Sequence, residues 1–112
     1  MVVIGPMVFH ANNAAAHVFP RKESPAAGAT VEAPAEVSIR FDGPLEPSFS
    51  TLTVSDSSGK RVSTGDAKVD PQQPTDLSVK LPSLAPGHYT VQWAAVASDG
   101  HRTHGDYPFD VK

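Results

Sequence analysis

Asp99 and His101, separated only by Gly100, place a carboxylate and an imidazole two residues apart. In extended backbone, residues i and i+2 point to the same side. One oxygen and one nitrogen can then meet at a single point, which is half of a metal site. Taken alone, the pair also reads as an ordinary Asp-Gly turn followed by a solvated histidine. A further source of donors would separate the two readings, and the other end of the chain offers one. Ala14-Ala15-Ala16 precede His17, and small residues of this kind mark the cleavage site of an export leader. Cleavage after Ala16 would start the chain at His17 and free an α-amine that chelates together with the ring. An internal His17 offers only its ring and is by default a surface residue near a frayed end.

The chain has no cysteine, so a metal must rely on imidazole, carboxylate, amine or backbone donors. Those suit Cu(II), Ni(II) or Zn(II) better than Cu(I). The other histidines have plainer readings. His104 lies three residues beyond His101 and would point away from it in an extended segment; it is kept as a secondary candidate ligand. His88 has the opposite parity to Tyr89 and Val91, which predicts a solvated position. His10 belongs to the leader, where any metal binding would be adventitious.

The elements that must hold these residues are short strands. Tyr89, Val91 and Trp93 alternate with Thr90, Gln92 and Ala94, the period of a strand with one buried face. This strand runs into Ser98-Asp99-Gly100-His101, and alternation resumes after Gly105 with Tyr107, Phe109 and Val111. Upstream, Glu36 to Asp42 carries Val37, Ile39 and Phe41 on one side, a half-buried strand. Phe49 to Val54 and Asp76 to Leu81 read the same way, and Asp56-Ser57-Ser58-Gly59 is a hairpin-type turn leading to Arg61 and Val62. Residues 63–75 are polar and hold Gly65, Pro71 and Pro74, so they read as an irregular connection. Pro20, Pro25 and Pro34 fit edge or extended segments. Six or seven short strands between turn signals predict an all-β, immunoglobulin-like antiparallel sandwich or Greek-key barrel. Trp93, Phe41, Tyr89, Phe109, Val37 and Ile39 would form most of its core.

At 112 residues the chain suffices for one domain, and 11 prolines with 8 glycines favour turns over long helices. A net charge of −3 without a basic patch argues against nucleic-acid binding. Residues 1–16 contain no charged Asp, Glu, Lys or Arg side chain, and Gly5-Pro6 interrupts their apolar start. They read as a shortened export leader or a disordered leader, with the domain proper at 17–112. No stretch reaches the ~20 apolar residues needed to span a bilayer, so lipid insertion of the mature domain is not expected.

From residue 17 onward the sequence resembles the CopC family of periplasmic copper-resistance proteins. The resemblance lies in His17, Ser24-Pro25-Ala26-Ala27-Gly28-Ala29 and Val37-Ser38-Ile39-Arg40-Phe41. It continues through Pro86-Gly87-His88-Tyr89-Thr90-Val91-Gln92-Trp93 and Ser98-Asp99-Gly100-His101, then Gly105 and Phe109-Asp110-Val111. It implies a Greek-key β-fold and a Cu(II) site made by the amine and ring of His17 with Asp99 and His101. It further implies a monomeric periplasmic carrier rather than an enzyme, with an inner-membrane copper transporter of the CopD type as a partner. Some members add a methionine-rich Cu(I) site. This chain departs from that pattern, because Met1 and Met7 are its only methionines and both precede His17. Two other readings compete: an immunoglobulin-like structural module with no metal, and an oxidative enzyme with a histidine brace.

Overall fold

Alternating apolar residues become inward faces of two sheets in a computed structural model that describes residues 18–112. The leader reading of 1–16, and His17 itself, lie outside the described residues. In chain order the strands are β1 (Pro20–Ser24), β2 (Thr30–Val31), β3 (Glu36–Phe41), β4 (Thr51–Asp56), β5 (Thr64–Asp70), β6 (Gln73–Lys80), β7 (Gly87–Val96) and β8 (Arg102–Val111). One sheet has the order β1-β3-β6-β5 and the other β2-β8-β7-β4. Every pairing is antiparallel except that of β2 with β8. The expected sandwich is therefore present, with eight strands rather than six or seven. Among the described residues no helix is long and apolar enough to cross a membrane.

The core lies between the sheets. Val37, Ile39 and Phe41 of β3 and Leu77 and Val79 of β6 face Leu52 and Val54 of β4, Tyr89, Val91 and Trp93 of β7, and Tyr107 and Phe109 of β8; all are buried. Phe41 meets Trp93 edge-on, ring centroids 5.2 Å apart, while Tyr89 stacks on Phe109 at 5.6 Å. The Tyr89 hydroxyl donates to the Ala85 carbonyl at 2.6 Å. A tyrosine bonded to backbone a few residues upstream is the corner device of Greek-key sandwiches, and here it fixes the chain as it enters β7.

Three stretches differ from the sequence reading. Residues 63–75 are not an irregular connection, since β5 occupies most of them and β6 begins at Gln73. β5 is the outer strand of its sheet and leans on the core only through Ala67 and Val69, so it lacks the alternation that betrays a half-buried strand. The strand expected at Phe49 starts at Thr51, leaving Phe49 on an exposed loop. β8 begins at Arg102 instead of after Gly105. Its first inward positions are Thr103 and Gly105, neither of them large and apolar, so the pattern there is silent.

Candidate metal centre

The β7–β8 hairpin closes through residues 97–101. The Gly100 amide donates to the Ala97 carbonyl and the Ala97 amide to the His101 carbonyl, each at 2.8 Å. Gly100 has φ +94°, a backbone that glycine reaches at no steric cost. The segment is thus a tight turn, not the extended run from which a shared side was argued. The two side chains meet nonetheless. One Asp99 oxygen accepts the His101 backbone N–H at 3.0 Å, and the other lies 3.1 Å from His101 Nδ1. Aspartate commonly closes a turn onto the amide two residues ahead.

The amide of His101 is the main reason the Asp99 carboxyl is held below the usual carboxylate range, with the imidazole contact adding to it. The group is consequently an anion at neutral pH, the form that coordinates metal. The Asp99 contact at Nδ1 also fixes the orientation of the His101 ring. Both side chains are about half exposed, His101 at 53% and Asp99 at 43%, so an ion can approach from solvent.

The hairpin stands on a buttress. Glu46 N–H donates to the Val96 carbonyl at 2.7 Å, and Leu45 bridges Ala97. The Ser50 hydroxyl accepts the Val96 N–H at 3.1 Å and donates to the Glu46 carbonyl at 3.0 Å. These bonds fix the end of β7 from which the turn departs.

The first described residue is fastened to the same end. Val18 is buried, and its carbonyl accepts a 2.6 Å hydrogen bond from the hydroxyl of Thr103, two residues beyond His101. The Phe19 N–H donates to the Asp42 carboxylate, and the Asp42 N–H returns a bond to the Phe19 carbonyl, both at 3.0 Å. Neither Thr103 nor Asp42 was singled out from sequence. Their bonds to Val18 and Phe19 span 85 and 23 residues, and no local pattern announces them.

His104 lies within β8 opposite Ala94, exposed, and lines a shallow polar depression with Arg102, Asp106 and Gln92. His88 is exposed as its parity predicts, and it contacts Asp110 across the strand pair. Among the described residues no three His, Cys, Asp or Glu side chains converge to hold a metal. Asp99 and His101 therefore supply two donors, an imidazole and an ionised carboxylate. That combination suits a tetragonal divalent ion such as copper, provided that further donors join them.

Fold and turn together define a Greek-key β-sandwich with an aspartate–histidine pair at one hairpin tip and Val18 bound beside it. The chain belongs to the CopC family, whose domain matches residues 21–112. It is 38% identical over 99 residues to Protein YobA of Escherichia coli strain K12, covering 87% of this chain and 80% of that one. The crystal structure of CopC from Methylosinus trichosporium OB3b superposes with a TM-score of 0.80 at 39% identity, covering 86% of this chain and 94% of that one. PcoC, a methionine-rich copper resistance protein from Escherichia coli, gives a TM-score of 0.76 at 32% identity, with 87% and 100% covered. The family is one of copper-resistance proteins, not of enzymes, as the sequence resemblance implies.

Proposed function

We propose that this copper protein binds one Cu(II) per chain through the amine and ring of His17 together with Asp99 and His101. The observation that carries the reading is the Thr103–Val18 hydrogen bond. His17 is joined to Val18 by a single peptide, a step of 3.8 Å between Cα atoms. Val18 is in turn bound to Thr103, two residues beyond His101 on the hairpin that bears the other two donors. Two imidazoles, an amine and a carboxylate form a set that Cu(II) binds above the other divalent ions of its row.

In this reading residues 1–16 are an export leader, residues 17–112 act in the periplasm as a monomer, and the ion is held for sequestration or for delivery to a CopD-type transporter. The lack of methionine after Met7 leaves a thioether Cu(I) site without ligands in that domain. The test is a Cu(II) titration, against a competing chelator, of the chain that begins at His17. One tight equivalent is expected, weakened at least tenfold by Asp99→Ala or His101→Ala, as loss of a ligand or its orienting partner typically does. Wild-type affinity in both variants would remove the proposal.

A further inference from the structure

Thr103 occupies an inward position of β8, where an apolar side chain would be the ordinary choice. It carries instead a buried hydroxyl whose hydrogen bond goes to the carbonyl of Val18. Val18 is held in other ways as well. Its side chain is 4% exposed within the core, and its Cγ1 sits so near Gly43 that a Cβ there would be 3.1 Å away. The next residue, Phe19, is tied to Asp42 by two reciprocal hydrogen bonds. Thr103 belongs to one sheet, whereas Asp42 directly follows β3 of the other. A chain end ordinarily frays. Here the residues just after position 17 are pinned between both sheets, at the end of the sandwich that carries Asp99 and His101.

We propose that Thr103 and Asp42 are positioning residues for the copper site, a clamp that sets the chain start in register before the ion arrives. This rests on the reading of His17, Asp99 and His101 as ligands. The clamp acts through pre-organisation: the apparent dissociation constant equals the intrinsic one divided by the fraction of molecules whose start is already in place. It also makes register matter. With Val18 fixed, residue 17 alone is one peptide from the anchor, so one inserted residue displaces both its amine and its ring.

The experiment uses chains beginning at His17: wild type, Thr103→Val, Thr103→Ser, Asp99→Ala, and a chain with one glycine inserted between His17 and Val18. Cu(II) affinity is read by chelator competition, the coordination by the electron paramagnetic resonance of the bound ion, and the clamp by hydrogen exchange at the Phe19 amide. Thr103→Val should speed that exchange, weaken Cu(II) roughly tenfold, in the range seen when groups supporting metal ligands are removed, and alter the resonance. Thr103→Ser, which keeps the hydroxyl, should restore all three. The inserted glycine leaves clamp and core intact and should weaken Cu(II) by a similar factor, so the proposal is decided even if Thr103→Val does not fold. Wild-type affinity and spectrum in the insertion chain, with Asp99→Ala impaired, would overturn the clamp and leave the ligand assignment standing. An unimpaired Asp99→Ala would take Asp99 out of the ligand set on which the clamp rests and so overturn the clamp.

Discussion

The indole of Trp93 fills the space that a side chain on Gly105 would occupy. The two residues are direct partners in the β7–β8 ladder, and a Cβ on Gly105 would lie 2.9 Å from the Trp93 ring. Phe41 packs edge-on against the same indole, so the ring has little freedom to retreat. Gly105 is thus required for space.

Gly105→Ala should therefore destabilise the sandwich by about 1–3 kcal/mol, the usual cost of forcing atoms into a packed core. In a domain of this size that lowers the melting temperature by at least several degrees. Thermal unfolding followed by circular dichroism checks it. An unchanged midpoint would mean that Trp93 moves freely, contrary to its packing.

Gly100 is required for conformation, since nothing lies within 4 Å of a Cβ built there while its φ is +94°. Gly100→Ala should cost about 1–2 kcal/mol through left-handed strain. It should also loosen the turn that brings Asp99 to His101. A fall in copper affinity together with stability is the expected result. Stability lost with affinity intact would show that the turn reforms around the ion.

Acid should weaken the fold in a defined direction. The Arg40 guanidinium grips Asp76 with two hydrogen bonds, 2.9 and 3.0 Å, and holds its carboxyl below the usual range. Asp56 is lowered as well, first by the Ser58 hydroxyl and then by the Lys60 amide. A carboxyl with a depressed folded pKa binds fewer protons when native than when unfolded. Its contribution is thus complete above about pH 4 and lost as pH falls through the lowered value. Because the Arg40–Asp76 pair is largely solvated, its share is small. Asp76→Asn should flatten the acid limb of stability against pH while changing neutral stability little. An identical acid limb in the variant would assign the sensitivity to other groups.

His104→Ala should change Cu(II) affinity by less than about threefold, well under the loss expected for a ligand or its supporting partner. The imidazole projects from the outer face of β8 with Arg102 and Asp106 rather than from the hairpin tip. A tenfold loss in the same chelator competition would place His104 in the coordination set.

Local periodicity determined a good deal from the sequence alone. β3 and β7 were legible because Val37, Ile39 and Phe41, and Tyr89, Val91 and Trp93, each bury one side of a strand, and burial imprints a two-residue period. β5 was not legible, because an outer strand with polar side chains buries too little to leave that mark. Asp99 and His101 could be paired because two residues rarely separate far, whether the backbone is extended or turned. The kind of backbone was a tertiary outcome, settled by the ladder that stops at Val96 and restarts at Arg102. The start of β8 escaped the sequence for a different reason. Thr103 satisfies its hydroxyl on a carbonyl 85 residues away, and Gly105 yields its place to an indole from the facing strand. The residue types, their spacing and their family pattern thus came from the sequence. What holds Val18 beside the hairpin was decided only by the packing of both sheets, since a contact between remote residues leaves no period in either segment.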